Sequence, residues 1–212
     1  LRLVKKSLQS IKVIIAGAGS AGVGITDLLR FAGCKNIISV DSVGAIYSGR
    51  RKNMNPYKSE IAKNTNPRKE KGTLADVIKN ADVFIGVSGI SNLVTKEMVK
   101  SMKKDSIVFA LTNPEPEINP DLAKKAGARI VATGSYQFHN KVNNALVFPH
   151  LMRAILDHRI SKIETKILYA AAIAIANTIP RKQLRYDNII SNVGDKRLQQ
   201  NITRALKKFY KK

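Results

Sequence analysis

A short apolar run followed by three spaced glycines constrains the fold of this chain more than any other feature. The run at residues 11–16 is rich in β-branched side chains, which is typical of a strand buried on both faces of a parallel sheet. Gly17, Gly19 and Gly22 follow directly, and residues 21–31 then place apolar side chains at helical spacing. Strand, glycine turn and helix in this order predict a dinucleotide-binding turn.

Each glycine has a separate mechanical role in such a turn. Gly17 permits the tight turn, Gly19 lets the backbone approach a pyrophosphate, and Gly22 allows the helix to pack closely on the strand. The free N–H groups around Ser20 and Ala21, together with the helix dipole, favour a phosphate charge. An ordinary tight turn without a ligand is the alternative, and the flanking strand and helix count against it.

Short apolar runs alternate with helical segments along most of the chain. Further strands are predicted over residues 36–41, 81–87, 106–111 and 128–133. Helices are predicted over residues 73–80, 95–102 and 121–126, with one more over 56–62 inside the polar excursion 53–71. This alternation indicates βαβ units and therefore an α/β fold, a Rossmann-like doubly wound parallel sheet.

The strand pattern stops at Pro149, and the remaining residues show helical spacing. Helices are predicted over residues 151–157, 164–178 and 197–209. We therefore expect residues 11–150 to form a dinucleotide-binding domain and residues 151–212 to form a helical C-terminal extension of the same domain.

Asp41 ends the second predicted strand, 19 residues after Gly22, where the acid that binds the adenosine ribose is expected. Its carboxylate would accept hydrogen bonds from the ribose hydroxyls and repel a 2′-phosphate, which favours NAD. Arg50, Arg51 and Lys58 could reach a 2′-phosphate, so NADP stays open as an alternative cofactor. A turn at the strand end is the alternative interpretation of Asp41 itself.

Small or neutral polar residues follow the later strands, at the edge where open α/β sheets bind ligands. Ser88 and Gly89 would leave room for the nicotinamide half of a cofactor, although a plain glycine turn explains them equally well. Asn113, Asn143 and Asn144 could offer donors to a carboxylate and acceptors to a hydroxyl, as a hydroxy acid requires. Each asparagine also suits a turn or a helix cap.

The composition excludes several other classes of function. The net charge is +22, but the basic residues lie in doublets and triplets without interleaved aromatics or a nucleic-acid motif, so a solvated lysine-rich surface is expected and nucleic-acid binding is not. No apolar run reaches the ~20 residues needed to cross a membrane. The single cysteine, Cys34, excludes a disulfide framework and favours a cytoplasmic location. His139, His150 and His158 lack metal-ligand spacing, and no acid/base pair is evident.

Taken together, these motifs resemble the NAD-binding domain of the bacterial malic enzymes. The resemblance covers nearly the whole chain and rests on residues 13–22, 41–47, 55–58, 82–88, 109–117, 132–134 and 142–144, with weaker matches at 187–190 and 195–197. Malic enzymes oxidise malate with NAD or NADP and decarboxylate the product to pyruvate, using Mg²⁺ or Mn²⁺. The resemblance therefore implies an oxidoreductase that acts on a CH–OH group.

The resemblance assigns roles to particular residues. The three motif glycines and Asp41 match the family's cofactor-binding positions, with Ser20, Ala21, Ser88, Gly89 and Asn113 expected beside them. Asn113 and one or both of Asn143 and Asn144 match asparagines that contact malate. The family's metal-binding carboxylates, catalytic tyrosine and catalytic lysine lie upstream of the glycine motif. We therefore expect no catalytic or metal-binding residue in this chain, and Mg²⁺ or Mn²⁺ only in the intact enzyme.

Further expectations concern the rest of the protein. Residues 1–10 resemble the end of the helix that links the family's two domains, which implies a missing N-terminal domain and, by analogy, a homo-oligomer. Two local departures put substrate handling in doubt, because Gln137 replaces an acid and His150 replaces a glycine. The alternative function is a non-catalytic nucleotide-binding module whose basic surface binds a polyanion.

Overall fold

The computed structural model describes residues 1–209 and divides the chain into two compact units, Leu1–Phe138 and His139–Lys212. The boundary lies at residue 138 rather than at the expected 150. The strands of the first unit are β1 Lys12–Ala16, β2 Asn36–Asp41, β3 Gly44–Ala45, β4 Val83–Gly86, β5 Ile107–Ala110 and β6 Ile130–Thr133. Its helices are α1 Ser20–Phe31, α2 Pro56–Asn64, α3 Leu74–Val77, α4 Lys96–Lys100 and α5 Pro120–Lys125.

The strands form one sheet in the order β3-β2-β1-β4-β5-β6. All neighbouring strands run parallel except β3, which pairs antiparallel with the end of β2. From β1 the chain builds outward first through β2 and later, on the other side, through β4. This reversal confirms the predicted Rossmann-like doubly wound sheet and places a topological switch point between β1 and β4.

A row of fully buried apolar side chains crosses the sheet and explains why the strands are apolar throughout. Ile14 of β1 is in register with Ile38 of β2 and Phe84 of β4, and Phe84 is in register with Val108 of β5. None of these four side chains is exposed to solvent. Burial of each contributes about 1.5–3 kcal/mol, because helices cover the sheet on both faces.

Two features of the first unit differ from the sequence-based expectation. Strand β3 was not predicted, because two residues are too short to show a period. Residues 1–10, expected to be the end of a helix, form only a 3-10 turn over Arg2–Val4. The turn ends because Lys5 adopts the left-handed conformation, with φ of 52°.

The second unit contains helices α6 His150–Asp157, α7 Thr165–Ala176 and α8 Arg197–Leu206, which agree with the three predicted helical segments. They pack around Leu198, Ile202 and Leu206, a fully buried stripe at i, i+4 and i+8 on α8. Residues 207–209 form a 3-10 turn, and the basic doublet Lys211-Lys212 lies outside the described residues. Within residues 1–209 no helix has both the length and the apolar character needed to cross a membrane.

A buried carboxylate ties the first residues of the chain to the sheet. Asp82, directly before β4, accepts hydrogen bonds from the Lys12 amide at 2.8 Å and from Lys103 Nζ at 3.0 Å, and pairs with Lys6 Nζ at 2.9 Å. Burial alone raises the pKa of Asp82, but the amide and the two ammonium groups outweigh it and hold the pKa below its ordinary value. Asp82 therefore stabilises the fold in its charged form.

We expect Asp82→Asn to lower the free energy of unfolding by about 1–2 kcal/mol at neutral pH, because charge-assisted hydrogen bonds are lost. A carboxyl with a depressed folded-state pKa stabilises the fold fully above the unfolded pKa of about 4, and this stabilisation is lost as the pH falls through the folded pKa. Denaturant unfolding across pH should therefore show the difference between wild type and variant shrinking below about pH 4.

The matched control is Asp105→Asn, which removes a carboxylate whose side chain is 41% exposed, 3.8 Å from Arg129. This substitution should lower the free energy of unfolding by less than about 0.5 kcal/mol. Equal effects of the two substitutions, or a pH-independent difference for Asp82→Asn, would contradict this account of Asp82.

Candidate functional site

The glycine turn joins β1 to α1 through two very close backbone approaches. Gly17 has φ of +111°, and a Cβ there would lie 2.4 Å from the Val87 carbonyl oxygen. A Cβ on Gly22 would lie 1.8 Å from the Gly17 carbonyl oxygen. The first glycine is therefore required by both conformation and space, and the third by helix-on-strand packing, as the sequence predicted.

The N-terminus of α1 has no protein group that caps it. Its N-cap is Gly19, which has no side chain to accept a hydrogen bond, and the first turn contains no acidic residue. The N–H groups of Ser20, Ala21 and Gly22 precede the first intrahelical donor, Val23. A 12-residue helix with such an end attracts an anion through both its free donors and its dipole.

A cavity of about 800 Å³ opens at the carboxyl ends of β1, β2 and β4, where the uncapped helix begins. Gly17, Gly19, Asp41 and Ser88, four residues predicted from the sequence to bind a cofactor, line it together. Apolar side chains form much of the remaining wall, including Leu74, Ile90, Leu93 and Met98. An uncapped helix end beside an apolar wall suits a nucleotide with a planar base.

Asp41, which lines this cavity, is held by two cations. Its carboxylate accepts hydrogen bonds from Arg50 Nη2 at 2.5 Å, Arg50 Nη1 at 2.9 Å and Lys58 Nζ at 2.7 Å. The Val43 amide and the Asn53 side chain add two more, at 2.9 and 3.2 Å. The side chains of Asp41, Arg50 and Lys58 are only 8%, 4% and 10% exposed. Arg50, which belongs to a basic triplet expected on the solvated surface, is therefore a buried counter-ion, as is Lys58.

The two cations differ in freedom. Arg50 also donates to the carbonyl oxygens of Gly44 and Asn53 and stays outside the cavity wall, whereas Lys58 donates only to that of Asn53 and is part of the wall. Burial alone raises the pKa of Asp41, but the hydrogen bonds from Arg50, Lys58 and Val43 hold it well below its usual range. The carboxylate is therefore charged at any ordinary pH.

Ser88 and Gly89, the predicted residues after β4, are held in one network with Thr112 and Glu117. Ser88 donates through its amide and its hydroxyl to the Glu117 carboxylate, and the Gly89 amide donates to Thr112 Oγ1. Asn113 is exposed, and a Cβ on Gly134 would meet its amide nitrogen at 2.9 Å. Ser20, Ala21, Gly22, Gly89 and Asn113 thus lie at the expected elements, although they are not among the residues that line the cavity.

The remaining predicted residues belong to the second unit. Asn143 caps a 3-10 turn over Asn144–Leu146 by accepting a hydrogen bond from the Ala145 amide. Asn144 is exposed, as is Gln137 at the end of the first unit. His150 begins α6 with its Nδ1 3.0 Å from Gln199 Oε1, and His158 Nε2 lies 3.1 Å from the Thr203 carbonyl oxygen. These two histidines are half-buried and contact α8.

The sequence reasoning missed one buried acid at the site. Glu117 is fully buried, but between prolines in a polar loop nothing in the sequence distinguishes it from the exposed Glu115. The small residue at Gly86 is the one indirect signal, since a Cβ there would strike the Glu117 carboxylate. Within residues 1–209 no three His, Cys, Asp or Glu side chains are grouped as a divalent metal requires, so the residues present do not fit Mg²⁺ or Mn²⁺.

Comparison with known proteins gives consistent results. The family model described as "Malic enzyme, NAD binding domain" matches residues 1–207. The chain is 47% identical to the bifunctional malic/malolactic enzyme of Bacillus subtilis over 208 residues, covering 98% of the chain and 50% of that relative. It is 43% identical to the NAD-dependent malic enzyme of Geobacillus stearothermophilus, covering 97% and 42%. Bacterial NADP-dependent malic enzymes are also among the relatives.

A solved structure shows the same architecture. The NAD-dependent malic enzyme of Thermotoga maritima superposes with a TM-score of 0.92 at 38% identity, over 97% of this chain and 54% of that one. The chain thus spans about half the length of the relatives it matches.

The glycine turn generates a paired prediction. Gly22→Ala should destabilise the fold by about 3 kcal/mol, because the new methyl group overlaps the Gly17 carbonyl. Gly19→Ala should change the free energy of unfolding by less than about 0.5 kcal/mol, since nothing lies within 4 Å of its Cβ and its φ is −82°. The Gly19 methyl should instead block the approach of a phosphate and weaken NAD⁺ binding at least about tenfold.

Thermal unfolding and calorimetric titration of both variants separate the two effects. A Gly19→Ala variant that binds NAD⁺ like wild type would contradict the placement of the pyrophosphate at this helix end.

Proposed function

The chain belongs to the malic enzyme family through its NAD-binding domain, and we propose that it holds the dinucleotide while the intact protein oxidises malate and decarboxylates it to pyruvate. NAD supplies the hydride acceptor in such a reaction. The residues of this chain bind and orient that acceptor. By the family resemblance, the metal and the acid/base groups come from other parts of the intact protein, and the described residues contain no cluster of ligands for the metal.

The uncapped N-terminus of α1 is the observation that carries the proposal. It opens onto a cavity that Asp41 also lines, so a pyrophosphate at the helix end leaves the carboxylate beside the adenosine ribose. The apolar wall formed in part by Leu74 and Met98 then suits the adenine ring. The nicotinamide half then lies on the other side of the switch point, beside Ser88 and Gly89.

NAD is the preferred cofactor in this proposal, with NADP accepted more weakly. Asp41 meets the ribose hydroxyls of NAD as an acceptor, and its charge repels a 2′-phosphate. That repulsion is offset because Arg50 and Lys58 together carry one more charge than Asp41. Lys58 lines the cavity and can turn toward a phosphate, whereas Arg50 is fixed by several carbonyl oxygens.

The proposal also includes substrate contacts and assembly. Asn113 and one or both of Asn143 and Asn144 contact the malate, as neutral amides suit a hydroxy acid. We propose a homo-oligomer, supported by exposed apolar side chains on α6 and α7, namely Leu156, Leu168 and Ile173. A cytoplasmic location is supported by the unpaired, buried Cys34.

Calorimetric titration of the chain with NAD⁺ at moderate salt tests the proposed function. We expect saturable one-to-one binding, and no malate-dependent NADH from the chain alone with Mg²⁺. Adding the remaining part of a malic enzyme in trans should produce malate-dependent NADH. Absence of NAD⁺ binding, together with salt-sensitive binding of a polyanion, would favour the non-catalytic basic module instead.

Lys58→Gln tests the cofactor preference. We expect the affinity for NADP⁺ to fall about tenfold, because one charged contact to the 2′-phosphate is lost, while the affinity for NAD⁺ changes less than about threefold. Lys63→Gln is the matched control, since Lys63 is exposed on the same helix. The role given to Lys58 would be contradicted if Lys58→Gln lowered the affinities for NAD⁺ and NADP⁺ by the same factor. It would also be contradicted if Lys63→Gln lowered the affinity for NADP⁺ as much as Lys58→Gln does.

A further inference from the structure

One fully buried carboxylate organises the loops that follow β4 and β5. Glu117 Oε1 accepts hydrogen bonds from the Ser88 amide at 3.1 Å, from Ser88 Oγ at 3.1 Å and from Thr112 Oγ1 at 2.5 Å. Glu117 Oε2 accepts from the Thr112 amide at 3.2 Å. Four donors on two neighbouring loops thus converge on a group that acts only as an acceptor.

The same network extends to the residues around it. The Gly89 amide donates to Thr112 Oγ1 at 3.0 Å, which joins the two loops directly. The Val94 amide donates to the Glu117 carbonyl oxygen at 2.8 Å. Glu117 and Thr112 therefore help to hold the conformation of Ser88 and Gly89.

The end of β4 leaves space for this carboxylate. A Cβ on Gly86 would lie 2.3 Å from Glu117 Cδ and 2.6 Å from each carboxylate oxygen. Gly86 has an ordinary strand conformation, so its lack of a side chain is required by the position of Glu117 and not by the backbone. The arrangement places a charged group directly under the carboxyl edge of the sheet.

Glu117 has no counter-ion among the described residues. Asp41 pairs with Arg50 and Lys58, and Asp82 pairs with two lysines, whereas Glu117 forms no ion pair within residues 1–209. Its charge is stabilised by neutral donors alone. A buried charge without a counter-ion acts on nearby groups through a low dielectric constant and is weakly screened.

We propose that Glu117 is a positioning residue for the nicotinamide half of the cofactor and that its negative charge favours the oxidised form over the reduced form. This inference rests on the proposed function. A dinucleotide with its adenosine at Asp41 of β2 crosses the switch point and places its other half at the ends of β4 and β5. The oxidised nicotinamide ring is cationic and the reduced ring is neutral, so a carboxylate there stabilises the oxidised form.

Glu117→Gln tests the charge while keeping the shape of the side chain. The equilibrium constants for NAD⁺ and NADH are measured by calorimetry and by NADH fluorescence. We expect the affinity for NAD⁺ to fall about tenfold or more. The affinity for NADH should fall by a factor that is about threefold smaller, or smaller still. Glu115→Gln is the matched control on the same loop, because Glu115 is exposed, and it should change neither affinity by more than about twofold.

Thr112→Val tests the positioning separately. It removes the hydroxyl that joins Glu117 to the Gly89 amide but keeps the carboxylate, so it should weaken NAD⁺ and NADH by the same factor, about threefold or more. If Glu117→Gln does not fold, Thr112→Val still decides the positioning role. Unchanged affinities in Thr112→Val would overturn that role.

The outcomes separate this inference from the proposed function. If the Glu117→Gln variant binds NAD⁺ and NADH with the same affinities as the Glu115→Gln variant, the inference is overturned and the proposed function still stands. Equal weakening of NAD⁺ and NADH in Glu117→Gln would overturn the electrostatic preference. A wild-type chain that binds neither form would overturn the proposed function, and the inference with it.

Discussion

The structure depends on a close approach of three backbone segments where β1 ends. The exit of β1 at Gly17 touches the exit of β4 at Val87, and the first turn of α1 rests on the same glycine through Gly22. No side chain fits at either contact, so β1 turns directly into α1 at this point. The helix therefore begins at the switch point beside the cavity, and Gly19, an N-cap without a side chain, leaves its first N–H groups free.

Buried carboxylates hold the surrounding parts in place in a chain that is otherwise strongly basic. Asp82 anchors the first residues through lysines, Asp41 anchors the loop after β2 through Arg50 and Lys58, and Glu117 anchors the loops after β4 and β5. Some of the 37 basic residues are therefore paired with acids inside the fold and do not belong to a polyanion-binding surface. The first two acids have cations beside them, and Glu117 has neutral donors instead, which gives it a different electrostatic effect on a ligand.

Much of the fold and part of the site could be predicted from the sequence, because they depend on local patterns. The period of the apolar residues predicted β1, β2, α1 and their sheet, and the glycine spacing predicted the turn. The two-residue strand β3 and the partners of Asp41 depend on contacts made in three dimensions. Glu117 could not be predicted, because its burial follows from the space that Gly86 leaves on another strand. Local patterns do not show which chemistry the turn serves, and the family resemblance supplied that part of the prediction.

The most direct test of the central claim is an NMR titration of the chain with NAD⁺, following the backbone amides. The account predicts that the largest saturable shifts fall on Ser20, Ala21 and Gly22, the free donors of α1, with further shifts at Asp41 and Ser88. Shifts confined to exposed lysines and arginines, abolished by moderate salt, would contradict it and would indicate non-specific attraction to a basic surface.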